Sequence, residues 1–163
     1  MKKLILLRHA KSAWSYDVSD RERPLQEKGI HAIHAVADHW SELFSDADVL
    51  LTSPANRAFH TASIVAKVCD FDFNRVRVLP ALYTFSGQEL LRIIRQLDNS
   101  WEKVILIGHN PAFSVVAESL AKTAVPEIKT AGWVELTFSI NQWEEAKIAT
   151  VQWGSKKEAI NKK

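Results

Sequence analysis

Three short segments hold residues whose types could do phosphate chemistry: Arg8-His9-Ala10-Lys11-Ser12, Ser53-Pro54-Ala55-Asn56-Arg57 and Gly108-His109-Asn110-Pro111. Each follows an apolar run directly, at a place where core packing does not call for a cation. Arginine suits a dianionic group because its guanidinium stays charged and offers a planar fork of donors. Histidine suits nucleophilic attack because its imidazole is available in the neutral form near pH 7. A second histidine could donate hydrogen bonds to oxygens as their charge shifts. If the three segments meet, Arg8, His9, Arg57 and His109 would form an anion site able to take a phosphoryl group. Residue types alone leave another reading open, with satisfied histidines at strand ends and arginines on the surface.

The elements that must position these residues alternate between strand and helix. Leu4 to Leu7, Asp48 to Leu51 and Lys103 to Ile107 are short apolar runs without alternation, as strands covered on both faces would be. Arg75 to Leu79 is a weaker strand. Apolar residues from Ile30 to Phe44 recur at helical spacing. Ser53-Pro54 and Asn110-Pro111 each place a cap residue before proline, opening helices to about Val68 and Leu120. Ser86 and Glu89 have capping-box spacing ahead of a third apolar face. Val134 to Ile140 and Ala146 to Trp153 read as two late strands. The pattern predicts a three-layer α/β/α fold, with a mostly parallel sheet and antiparallel C-terminal additions. Residues 1–155 form one domain and 156–163 a short basic tail. In such sheets ligands bind beyond the carboxyl ends of the strands, where all three segments fall.

Composition sets the bounds. The chain has 163 residues, 47% hydrophobic and 25% charged, with a formal net charge of +2 and dispersed basic residues. This profile excludes a nucleic-acid groove and a polybasic membrane patch. The single cysteine, Cys69, precludes an internal disulfide and reads as a buried, inert thiol suited to a reducing compartment. The apolar stretch after Lys3 ends at Arg8, too soon for a secretory signal, so cytoplasm is expected.

The segments carry a family resemblance. Arg8-His9-Ala10 after an N-terminal strand, Ser53-Pro54-x-x-Arg57-Ala58-x-x-Thr61-Ala62 and Gly108-His109-Asn110-Pro111 resemble, in order and context, the histidine phosphatase (phosphoglycerate mutase-like) superfamily. Asp20 to Leu25 with Gly29, Ala81-Leu82-Tyr83 and Trp143 make the chain similar to its short SixA-type phosphohistidine phosphatases. The resemblance implies that His9 becomes phosphorylated while Arg8, Arg57 and His109 bind the phosphoryl group, with Ser12 and Arg23 as further substrate contacts. It also implies no metal or other cofactor, a phosphohistidine-bearing protein as substrate, no nucleic-acid or membrane partner, and a monomer. A phosphatase for small monoesters and a non-catalytic phosphohistidine-binding module are the alternatives.

Two positions depart from the pattern. Larger superfamily members carry an acid between the second and third motifs, whereas Leu79 to Phe85 contain none and Glu89 reads as a capping residue. Ala10 stands where many relatives have glycine. His31, His34 and His39 read as a solvated helix face and His60 as packing, while Trp14 is expected beside the site.

Overall fold

Residues 1–161 are described by a computed structural model, in which the alternating elements assemble into a six-stranded sheet between two helical layers. β1 (Lys2–Arg8) is followed by α1 (Glu27–His39) and α2 (Ser41–Ser45). Then come β2 (Val49–Thr52), α3 (Asn56–Val68), β3 (Val76–Val78) and α4 (Gly87–Arg95). β4 (Lys103–Gly108), α5 (Ala112–Leu120), β5 (Trp133–Phe138), β6 (Thr150–Gly154) and α6 (Lys156–Asn161) complete the order. The strand order is β3-β2-β4-β1-β5-β6. The first four strands run parallel, and β5 and β6 are antiparallel additions. This is the three-layer α/β/α arrangement expected from the sequence.

The central strands lack alternation because both faces are covered. Ile5 and Leu7 pack with Ile33, Val36, Ala58 and Ala62 of α1 and α3, while Leu4 and Leu6 pack with Leu90, Ile94, Phe113 and Val116 of α4 and α5. Burial on two faces holds β1 and β4 rigidly, so the residues just past their ends inherit a fixed position.

Three local expectations are corrected. The helix read from Ile30 to Phe44 breaks at Trp40, whose ring packs edge-on against Trp133. The helix expected to open at Ser53-Pro54 begins at Asn56, with Ala55 as its cap. Ser53 instead extends the strand ladder, its N–H donating to the Ile107 carbonyl at 3.0 Å. The basic segment from residue 156 is not a loose tail as far as residue 161. It forms α6 and buries Ala159 in the core shared with α1. Lys162 and Lys163 lie outside the described residues.

Gly29 shows how tightly α1 presses on the first motif. A Cβ at this position would lie 2.3 Å from the Lys11 carbonyl oxygen and 2.9 Å from the Lys11 nitrogen. Glycine within a helix ordinarily costs about 1 kcal/mol relative to alanine, so an alanine here would normally stabilise. The contact reverses the sign. Gly29→Ala should destabilise by about 1–3 kcal/mol, the scale of overpacking. It should also lower activity, because the displaced backbone adjoins His9 and Ser12; urea melts and turnover assays would test both.

Candidate active site

Strand pairing unites the three motifs. β1 and β4 are neighbours with Arg8 opposite Gly108, and β2 lies on the other side of β4 with Thr52 opposite Ile107. The three chains therefore leave the sheet side by side at its carboxyl edge. The His9 N–H donates to the Gly108 carbonyl at 3.2 Å. A cavity of about 650 Å³ opens at this edge, and Arg8, His9, Ser12, Arg23, Arg57 and His109 all line it.

Hydrogen bonding sets the tautomers of both histidines. His9 Nδ1 lies 2.7 Å from the Ala10 carbonyl oxygen, which can only accept, so Nδ1 carries the proton. Nε2 then keeps its lone pair and is free to act as a nucleophile. The His9 and His109 ring centroids are 5.3 Å apart. Arg57 Nη2 donates to His109 Nδ1 at a long 3.5 Å, which leaves the proton on Nε2, 2.8 Å from Ser53 Oγ. A hydroxyl can both donate and accept. His109 can therefore turn its Nδ1–H toward a phosphoryl oxygen without gaining charge, with Ser53 donating to Nε2 instead.

Both imidazoles are held neutral. Burial is the main cause for His9; despite the Ala10 hydrogen bond, and with Arg57 and Arg8 adding to the effect, it lowers the value from 6.5 to about 4. Burial, then His9 and Arg57, push His109 down to about 3. A neutral His9 is the form that can attack phosphorus.

Arg57 and Arg23 are buried, Arg8 is half-buried, and Arg8 and Arg57 have donors to spare. Arg57 is only 2% exposed, and Arg8 uses Nη1 on the Ile128 carbonyl at 3.0 Å. The Nε of each has no partner among the described residues. Arg57 gives Nη1 to the Asp20 backbone oxygen (2.6 Å) and Nη2 to its carboxylate (3.0 Å). Arg23, 7% exposed, donates to Ser12 Oγ (2.6 Å) and to Asp20 (3.1 Å), and lies 3.5 Å above the centre of the Trp14 ring. Ser12 thus lines the cavity with its hydroxyl already accepting from Arg23.

Several residues at the site had no clear sequence signal. Asp20 lines the cavity and accepts a 2.5 Å hydrogen bond from the Tyr83 hydroxyl. Desolvation works to raise its carboxyl, but hydrogen bonds from Tyr83, Arg57 and Arg23 outweigh this and hold it down to about 2. Thr61 accepts from the Ala10 N–H (3.0 Å) and donates to the Arg57 carbonyl (2.7 Å), tying β1 to α3. Ala131, at φ 60°, donates to the carbonyls of Arg8 and His9. That backbone conformation costs an L-residue about 1–2 kcal/mol. Thr61 stands in the Ser-x-x-x-Arg-x-x-x-Thr spacing of the second motif, whereas the partners of Asp20 come from distant loops.

The remaining expectations fall away from the cavity. Glu89 is exposed on α4, where its N–H donates to Ser86 and its carboxylate pairs with Arg92. His31, His34 and His39 are exposed on α1, and His60 is not among the lining residues. Cys69 is buried, which pushes its thiol up to about 11.

The chain belongs to the histidine phosphatase superfamily (branch 1), whose family model matches residues 4–85. Within it, the chain is similar to SixA-type proteins. A SixA phosphohistidine phosphatase assignment from Agrobacterium tumefaciens is 26% identical, with a TM-score of 0.73 over 83% of this chain and 90% of that one. The protein histidine phosphatase SixA complexed with tungstate superposes with a TM-score of 0.80 over 96% of this chain and 98% of that one, at 21% identity. An uncharacterized chloroplastic protein of Arabidopsis thaliana is 30% identical over 154 residues, spanning 89% of this chain and 70% of the relative.

The site makes three predictions. Because His9 must be neutral, kcat/KM should hold from pH 7 to about 5 and fall about tenfold per pH unit below about 4. The unfolded chain binds these protons more readily than the folded one. Stability should therefore be unaffected above pH 6.5 and decline as pH drops toward 4, with a flatter Tm profile in His9→Gln. Asp20 competes with any incoming anion for Arg57. Asp20→Asn should lower the inhibition constant of tungstate by about tenfold, equivalent to about 1.4 kcal/mol.

Proposed function

We propose that this protein is a metal-independent phosphatase that removes phosphate from phosphohistidine on a protein, working as a monomer in the cytoplasm. The observation that carries the substrate choice is the state of the cavity's one carboxylate among the described residues. Asp20 stays ionised to about pH 2 and so holds no proton to give a leaving group. An alkoxide is very basic and needs a proton as it departs. A phosphohistidine does not need one from the enzyme, because an imidazole nitrogen has a pKa near ~6.5, so the ring's free nitrogen can take a proton from water near neutral pH and the ring then departs as neutral imidazole.

In the first step His9 Nε2 forms a bond to phosphorus as the substrate's P–N bond breaks, and the substrate imidazole departs neutral. Arg8, Arg57 and His109 donate to the equatorial oxygens, where the transferring group carries its charge. In the second step water forms a P–O bond, the P–Nε2 bond breaks and His9 returns to neutral imidazole. Both hydrogens of the water leave with the phosphate. The arginines do the neutralising that a metal ion would otherwise do. The reading also fits one buried cysteine, which suits a reducing compartment.

Acid-quenched turnover should leave a protein label that survives alkali and is lost in acid, as a P–N bond is. His9→Ala should lose both label and activity; label retained there would move the nucleophile elsewhere. Arg57→Ala should cost about 10²-fold or more in kcat, and Arg57→Lys should restore it only in part, because an ammonium lacks the fork. Phosphohistidine should be hydrolysed fastest, activated aryl phosphates next and alkyl phosphates last. Equal rates for alkyl phosphates would require a proton donor and favour the small-monoester reading.

A further inference from the structure

The cavity holds more positive charge than one phosphoryl group can use. Seven lysine and arginine side chains line it against a single carboxylate, although the whole chain carries only +2. Arg8, Arg23 and Arg57 surround the histidines. The other four are lysines, and of these Lys129 is paired with Glu127 at 2.9 Å. Lys11, Lys156 and Lys157 make no ion pair among the described residues.

These lysines also crowd one another. Lys28 of α1 and, at longer range, Lys156 push the Lys11 ammonium below its ordinary value. Unpaired like charges repel, so the fold must hold them together by other contacts. The docking of α6 through Ala159 onto α1 does so for Lys156 and Lys157, and the contact between Gly29 and the Lys11 backbone does so for Lys11. The unpaired lysines at the cavity thus come from the loop after β1 and from α6.

We infer that Lys11, Lys156 and Lys157 form a docking rim for acidic side chains that flank the phosphorylated histidine of the protein substrate. The inference rests on the phosphohistidine reading above and narrows it to an acidic surrounding surface. Charge of one sign around a cavity concentrates oppositely charged partners and speeds their encounter, an effect that falls with ionic strength.

The test compares two phosphohistidine peptides of equal length, one with Asp and Glu beside the modified histidine and one with Gln and Ser. Wild-type kcat/KM should favour the acidic peptide by about tenfold or more at 50 mM salt, shrinking several-fold at about 0.5 M. The combined variant Lys11→Gln, Lys156→Gln, Lys157→Gln should bring the ratio close to one, with circular dichroism as the folding check. The wild-type ratio and its salt dependence need no variant. Equal kcat/KM for both peptides, or a preference indifferent to salt, overturns the docking rim while leaving the phosphohistidine reading intact. A ratio unchanged in the folded variant overturns the assignment to these lysines. No turnover of either peptide, alongside turnover of aryl phosphates, removes the phosphohistidine reading itself and the rim with it.

Discussion

The parallel pairing of β1 with β4 is the contact on which the rest of the site depends. Its register sets Arg8 opposite Gly108, and the next hydrogen bond runs from the His9 N–H to the Gly108 carbonyl. Two histidines one hundred positions apart in the chain are thereby brought to a ring separation of 5.3 Å. A sheet whose central strands are buried on both faces cannot slip its register without moving apolar side chains wholesale, so the pairing also gives the pair its rigidity. β2 on the far side of β4 then delivers Ser53 and, as the second residue of α3, Arg57.

Burial does chemical work at this junction. An imidazole in water would be partly protonated at mildly acidic pH, but in the cavity both rings stay neutral because the charged form is poorly solvated and faces arginines. The guanidiniums resist the same pressure, since arginine keeps its charge under nearly all conditions. One environment thus keeps two neutral imidazoles beside permanent cations. Asp20 completes the balance by giving Arg57 a partner, and the same contacts strip it of any capacity to act as an acid.

The outer part of the site is made from pieces far apart in sequence. Arg23 joins Ser12, Asp20 and Trp14 into one cluster, and α6 brings lysines from the C-terminal end of the chain to the cavity rim. These contacts shape the approach to His9 rather than the phosphoryl pocket itself. The loops and α6 thus form the outer wall of the cavity, whereas the strand ends carry the three motifs.

The sequence by itself determined the α/β alternation, the three motifs and the six candidate residues that line the cavity. It could do so because buried strands, helical apolar periodicity and cations at strand ends are all local patterns, whereas neither cap-and-proline signal marks the observed helix start. It did not determine which strands are neighbours, since the pairing of β1 with β4 depends on packing across the whole domain. Ser53 shows the limit most directly. Its local signal was that of a helix cap, yet its hydroxyl binds His109 and its backbone extends β2, so the helix starts at Asn56 instead of Pro54. Lys156 to Asn161 read as part of a short basic tail and the partners of Arg23 were not legible, because nothing nearby in sequence announces Ser12, Trp14 or the face of α1 as a partner. Asp20 is the same case: only the tertiary structure places it against Arg57 and Tyr83, because those hydrogen bonds join residues 37 and 63 positions apart.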